Sequence, residues 1–471
     1  MFSIRILRDQ PLIKFDRQLP MFNWHYPFHF ERQWMQDRRA PYVASRNAAV
    51  RRRAVYIHIP FCETICNFCP FRHDAYKSAE TLEQYLSALL GEMELKRELI
   101  GEPRVDAIFV GGGTPSLLNP RQIESLGESV ARNFDLHALK EFTFEVEVKS
   151  ISRDRLHAMR DIGVNRVSFG AQTFSEKYRS LFSLDATCAQ IEAAAELLNG
   201  FFPYTNVDLL YGMAGQQLEE LDADLAAAMA LWTTTIDVYP VNNLTAPRLM
   251  HSSLERAGLT TLPESRRLEF RMHLERRFRE LGYKPINGYG FSFAGSLGDN
   301  SAEPVQHSPK FLYHDLVYGY EDDEILGYGV SAISQMPGFN IYNFPGRQAY
   351  LSEVLTKRAL PHQVFGPLSA PERGIVTFPF RGVLNKSRVD WDRVPDETWF
   401  ALEDALEADL IADREDRYVL TNAGWLFYVN LMYYLMPAAG KRWISDMIER
   451  KQVSHPTGGT GLTELVDSCS A

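Results

Sequence analysis

Between residues 54 and 281, short apolar runs alternate with longer stretches in which apolar residues return every three to four positions. The runs at 54–60, 105–110, 141–148, 165–170, 206–211 and 236–241 predict strands. The stretches at 79–98, 120–132, 153–162, 187–198, 219–232 and 264–281 predict helices; in the first, Leu82, Leu86, Leu89 and Leu90 share a face. Six successive strand–helix units predict a parallel sheet with helices outside it. Their number and order fit an α/β fold, a partial (β/α)6 TIM-like barrel. Such barrels carry their chemistry at the carboxyl ends of the strands.

The flanks read differently. Residues 1–53 hold an aromatic group (Phe22, Trp24, Tyr26, Phe28, Phe30) and then arginines (Arg32, Arg38, Arg39, Arg46, Arg51, Arg52, Arg53). They form either an arm packed on the main domain with solvated charges, or a flap offering stacking and cations to a substrate. Residues 283–340 are irregular and Gly-rich. Beyond residue 371 the pattern predicts a helix at 399–410, a strand at 417–420 and a helix at 423–432, a small winged-helix-like unit with acidic surroundings. The expected division is an N-terminal arm (1–53), the barrel with its extension (54–345), a smaller, mostly helical lid domain (346–455) and a flexible tail (456–471).

Composition narrows the function classes. A 471-residue chain with 45% hydrophobic and 23% charged residues is ordinary for a globular protein. A net charge of −10 argues against nucleic acid or an anionic membrane as the partner. No apolar run is long enough to span a bilayer, and the first residues lack the apolar core of a secretory signal. Five cysteines do not make a disulfide framework, so a reducing, cytoplasmic setting is expected. Cys188 reads as a packed residue in a helix, and Cys469 lies in the tail.

The other three cysteines, Cys62, Cys66 and Cys69, follow the first predicted strand. Three thiolates can hold three irons of a four-iron cluster and leave the fourth open to a small molecule, whereas electron-transfer clusters use four cysteines. The alternative is a zinc knuckle with His73 as the fourth ligand. Gly111, Gly112 and Gly113 follow the second strand and let backbone approach a ligand. Glu145 and Glu147 stand two apart on a strand and so point to one side. Glu145 suits a ribose hydroxyl or an amino group; Glu147 reads equally well as a strand-end surface acid. Asp208 at a strand end suits ribose hydroxyls, and Gln172 an amide contact. His58 shares the strand face of Tyr56 and reads more readily as a buried histidine satisfied by a neighbour.

The cysteine spacing, 56–62 (YIHIPFC), 111–116 (GGGTPS), 170–174 (GAQTF), 208–212 (DLLYG) and 329–334 (GVSAIS) together resemble the radical S-adenosylmethionine (SAM) superfamily, and within it the oxygen-independent coproporphyrinogen dehydrogenase-like family. The resemblance implies a [4Fe-4S] cluster on Cys62, Cys66 and Cys69, with SAM chelating the open iron. It implies that Tyr56, Gly112, Glu145 and Ile333 line that SAM, with Tyr56 and Glu145 nearest the chemistry. It further implies a second SAM lined by Phe68, Gly113, Thr114, Gln172, Asp208 and Asn242. The sequence departs from the family at Leu184, where an arginine helps to hold the second SAM; Arg179 is the substitute that it offers.

The retained motifs with altered substrate-side residues give a first expectation of a two-SAM enzyme. It would transfer a one-carbon unit, by methylation or cyclopropanation, to an unsaturated carbon of a small molecule or tetrapyrrole. The alternatives are oxidative decarboxylation of coproporphyrinogen III, and haem binding or trafficking, which His25, His29, His73, His307 and His314 would allow. A monomer served by a reductant such as flavodoxin or ferredoxin is expected.

Overall fold

The computed structural model describes residues 15–19, 26–27, 33–69, 71, 73–241, 248–294, 311–367 and 369–454. Asn242, four of the five arm aromatics, His25, His29, His307 and Cys469 lie outside them.

The strand–helix alternation is present as expected. β1 (Arg52–Ile59), β2 (Ala107–Gly112), β3 (Glu141–Val146), β4 (Arg166–Gln172), β5 (Tyr204–Tyr211) and β6 (Thr235–Pro240) alternate with α1 (Ala79–Ile100), α2 (Pro120–Asn133), α3 (Arg153–Asp161), α4 (Cys188–Phe201), α5 (Leu218–Ala230) and α6 (Glu264–Glu280). The six strands pair in parallel in chain order. Local chemistry sets the helix ends. The Ser78 side chain accepts from Thr81 N to start α1, and capping boxes at Asn119/Gln122 and Thr187/Gln190 start α2 and α4.

β7 (Asp323–Tyr328) adds a seventh parallel strand beside β1, from the segment read as irregular. Its leading acids concealed it. Asp323 pairs with Arg52 at 2.6 Å and Glu324 pairs with Arg53, so the run is buried on both faces despite two charges. Arg52 and Arg53 therefore tie two strands together. Antiparallel strands extend both edges of what becomes a thirteen-stranded sheet, whose end strands do not pair with each other. This is a partial barrel.

The period-two alternation separates the two faces. Val55, Ile57, Ile108, Val110, Phe142, Phe144, Val167, Phe169, Val207, Leu209, Ile236 and Val238 are buried in the core shared with the helices. The alternate positions in β3–β6 are polar: Thr143, Glu145, Arg166, Ser168, Asn206, Asp208, Thr235 and Asp237. Helix Leu312–Val317 is held at the start of β3, where the Glu141 carboxylate accepts from Leu312 N at 2.8 Å and Tyr313 N at 3.1 Å. Its aromatics join Ala54, Ala107, Phe109 and the C-terminal unit in a second core.

That C-terminal unit comprises helices Arg373–Arg381, Asp396–Glu407, Asn422–Leu426 and Tyr428–Tyr434 with a three-stranded sheet, Val383–Asn385, Arg417–Leu420 and Ile411–Asp413. Arg373 donates to the carbonyls of Leu316, Val317, Tyr320 and Asp323, and Arg388 reaches Asp323 at 3.0 Å. Asp323 opens β7, so the unit packs beneath the amino ends of the strands. It was expected as a packing and lid domain; its fully buried Trp425 and Tyr428 share a core with Phe109 and Tyr313. Among the described residues no helix is long and apolar enough to cross a membrane.

Candidate functional site

The cysteine loop leaves the carboxyl end of β1 and is pinned on three sides. Thr114 N donates to Phe61 O and Gly113 N to Ile59 O, at 2.7 and 2.8 Å. Asn67 N donates to Phe182 O, and its side chain to Leu181 O and Ser253 Oγ, each at 3.1 Å. The Thr64 hydroxyl donates to Asp185 at 2.5 Å. Cys62, Cys66 and Cys69 are half-buried and free.

Burial pushes the Cys66 thiol up to about 11, and the neighbouring Cys62 adds to it. Burial likewise pushes Cys69 up to about 12, against a backbone hydrogen bond. Cys62 is raised by burial and eased by the Thr114 hydroxyl. The three thiols thus sit within one another's electrostatic reach. Among the described residues no group of three or more His, Cys, Asp and Glu gathers as a single-ion site. His73, the fourth ligand of the zinc alternative, has its Nδ1 2.8 Å from Phe71 O. Three soft donors on one loop, within one another's electrostatic reach, fit an iron–sulfur cluster held by three cysteines.

The glycine loop is shaped by protein neighbours. A Cβ on Gly113 would lie 2.7 Å from Phe61 O; on Gly112, 2.4 Å from His58 Nδ1; on Gly111, 2.5 Å from Glu145 Oε2. The loop is glycine because the cysteine loop, His58 and Glu145 occupy that space. Gly112 N donates to Glu145 Oε2 at 2.9 Å.

Glu145 is half-buried, and burial pushes its carboxyl up to about 7, partly offset by that N–H. Near it stand Tyr56, Phe109 and Tyr313, whose rings stack at centroid separations of 4.7 to 6.1 Å. The Tyr56 hydroxyl meets His58 Nδ1 at 2.8 Å, which satisfies His58. Glu147 does not share the direction of Glu145. β3 ends at Val146, and the Glu147 carboxylate turns to accept from Lys149 N and Ser150 N, both at 3.1 Å. It is a cap.

Across the barrel, burial first and then Asp237 and Glu145 raise the Asp208 carboxyl well above its ordinary value. Asn206 Nδ2 donates to it at 2.7 Å. Gln172 sits after a bulge in left-handed backbone, φ 67°, a conformation rare outside glycine and worth attention at a strand end. Phe68 packs edge-on against Phe182 at 5.4 Å. Thr114 is buried, and Ile333 opens the strand after the turn that ends β7. Arg179, the substitute that the sequence offers, is held by main chain. Its guanidinium donates to the carbonyls of Ala171 at 3.0 Å, Thr173 at 2.8 Å and Ala186, and Leu184 packs in an apolar cluster beside it.

Sequence reasoning missed Arg166, Asp237, Tyr239 and Tyr313. Arg166 is buried beneath the carboxylates, with Nη2 on Thr235 Oγ1 at 2.9 Å. Tyr239 donates to Asp237 at 3.2 Å. The signal for Asp237 was available: it is the partner of Asp208 in strand register. Tyr313 gave none, since its place depends on a helix folded back into the barrel.

A family profile described as the radical SAM superfamily matches residues 56–228. The haem chaperone of Bacillus subtilis is 27% identical over 387 residues, 79% of this chain and 96% of that protein. An anaerobic coproporphyrinogen III oxidase of Cereibacter sphaeroides is 26% identical, over 64% of this chain and 66% of its own. In fold, the chain is similar to the radical SAM coproporphyrinogen III oxidase of Escherichia coli, with a TM-score of 0.69 at 24% identity, covering 84% of this chain and 92% of that one.

Proposed function

We propose, for a chain that belongs to the radical SAM superfamily and its coproporphyrinogen-oxidase-like branch, that it acts on a tetrapyrrole, by oxidative decarboxylation of the propionates of coproporphyrinogen III. The cofactors of such a chain are a [4Fe-4S] cluster and SAM, which when bound supply one-electron cleavage of the sulfonium and so hydrogen-atom abstraction. Cys62, Cys66 and Cys69 would hold the cluster. Tyr56, Gly112, Glu145 and Ile333 would line the SAM, with Glu145 taking its amino group or ribose hydroxyls. The stacked Tyr56, Phe109 and Tyr313 exclude water from that side. Removing a hydrogen atom and carbon dioxide from a propionate leaves a vinyl group and one electron, which requires a one-electron acceptor. A flavodoxin- or ferredoxin-like reductant belongs to the same proposal.

What supports this reading over one-carbon transfer is the likeness in sequence to anaerobic coproporphyrinogen III oxidases, 26% identity over 64% of this chain. The relatives' names agree: a chaperone and oxidases, neither a methyltransferase nor a cyclopropanase. Haem carriage is kept as a second reading because the match to the haem chaperone runs over 96% of that protein.

One anaerobic assay separates the readings. The reconstituted protein, given SAM, dithionite, an electron acceptor and coproporphyrinogen III, is expected to yield 5′-deoxyadenosine and protoporphyrinogen. S-adenosylhomocysteine among the products would restore one-carbon transfer. A Soret shift on haem titration with no SAM cleavage would favour carriage.

A further inference from the structure

Tyr85, Glu92 and Lys96 are spaced seven and four residues apart, and so share the stripe of α1 that meets β1 and β7. All three are fully buried, and Glu92 and Lys96 form an ion pair at 2.6 Å. Burying two charges costs several kcal/mol per ion before their attraction offsets it, and apolar side chains would pack a helix on a strand at less cost.

What the charges do is hold main chain. Lys96 Nζ donates to Gly327 O at 2.6 Å. The Glu92 carboxylate accepts from Gly329 N at 2.8 Å, Asn343 Nδ2 at 2.9 Å and the Tyr350 hydroxyl at 2.6 Å. The Tyr85 hydroxyl accepts from Val330 N at 3.1 Å and donates to His58 O at 2.8 Å. Every one of these backbone groups lies where β7 or β1 gives way to the site. The turn is tight: Gly329 has φ +97°, its Cβ would lie 2.5 Å from the Tyr85 hydroxyl, and Ser331 is left-handed at φ 59°. A turn built from such conformations persists only where its surroundings over-determine it.

We propose that Tyr85 and Glu92 are positioning residues for SAM. They lock the turn at 329–333 against the end of β1, so that Ile333 on one side and Tyr56 on the other face a single ligand in fixed register. The inference rests on the SAM-site reading above.

Equilibrium SAM binding to the cluster-loaded protein tests it through two variants that each delete one buried hydroxyl. Tyr85→Phe keeps the ring against Phe61 and Tyr350 but frees the turn from β1. Tyr434→Phe removes a buried hydroxyl that donates to Asp404 at 2.7 Å in the C-terminal unit, away from the turn and from Glu92. Tyr85→Phe is expected to raise the Kd for SAM about tenfold, which is ~1.4 kcal/mol, with iron content and cluster absorbance unchanged. Tyr434→Phe is expected to lower Tm and to leave Kd within about twofold of wild type. Equal Kd values in wild type and Tyr85→Phe would overturn the proposal. So would an equal loss of affinity in both variants, which would mark a general effect of stability. A wild-type protein that loads its cluster and binds no SAM would instead sink the SAM-site reading itself.

Discussion

At the amino ends of the strands Asp323 faces Arg52 at 2.6 Å and Arg388 at 3.0 Å; at the carboxyl ends Asp208 faces Asp237 and Glu145 across the barrel. Burial acts on both aspartates. At the first, hydrogen bonding and charge from Arg52, with Arg388, overcome burial and hold the carboxyl below its ordinary value. At the second, burial and two like charges together raise it well above. One end of the barrel pairs its charges, sealed by Arg373 and an aromatic plug. The other leaves carboxylates raised and thiols uncompensated. Perturbed titratable groups gathered at one end of a barrel mark the place where a functional site is expected. Stability and chemistry are therefore expected to separate along the barrel axis.

The largest test of that separation is at the cysteines. Cys62→Ala, Cys66→Ala or Cys69→Ala should each abolish the cluster, read as iron content and absorbance, and reduce SAM cleavage to background, while the apoprotein keeps its Tm. A fall in apoprotein Tm comparable to that of an amino-end variant would remove the contrast.

Next in size is a pair of substitutions on opposite ends. Arg373→Met strips donors from four carbonyls and from Gln335, and should cost about 3–5 kcal/mol by denaturant unfolding. Asp208→Asn relieves a buried like-charge contact, so it should leave stability unchanged or improved while weakening ligand binding about tenfold, the scale of one charged hydrogen bond. Loss of stability at Asp208 as large as at Arg373 would mean that both ends are structural.

The same contrast has a pH signature, set by Glu145 with Asp208, Tyr56 and Tyr313 around it. Its folded carboxyl titrates at about 7, above the ordinary glutamate value. A raised acid contributes stability that is fully present below the unfolded value, lost as pH rises, and gone above about 7. Apoprotein Tm should therefore fall over that window, and Glu145→Gln should flatten the slope. Affinity for the SAM ammonium should run the other way, rising through pH 7 in wild type and not in the variant. Asp323 has the opposite sign: its stabilisation is present above the unfolded value and is lost only in acid.

The sequence disclosed the carboxyl end better than the amino end, for a physical reason. Cys62, Cys66, Cys69 and Gly113 follow the first two strands and Asp208 lies within the fifth, so their places follow from strand direction. The amino end is assembled from distant segments. Tyr313 enters the barrel on a helix whose first N–H groups are taken by Glu141, 171 residues away from Leu312. β7 hides behind two acids that make sense only opposite Arg52 and Arg53. The seat of the C-terminal unit depends on Arg373 finding four carbonyls. Periodicity carries no trace of such contacts. The partners of Arg179 are hidden for the same reason, since they are backbone atoms.

Glu147 gives the smallest and sharpest test, because it stands two residues from Glu145 and was expected to share its direction. Its carboxylate caps the 3-10 turn Val148–Ser150 through Lys149 N and Ser150 N. Glu147→Ala should cost about 1 kcal/mol, the value of an N-cap, and leave the Kd for SAM and its pH dependence as in wild type. Glu145→Gln should do the reverse, changing binding and its pH dependence with little loss of stability near neutral pH. If Glu147→Ala weakened SAM binding as Glu145→Gln does, the strand would have to continue through residue 147, and the cap seen here would not be what the bound state uses.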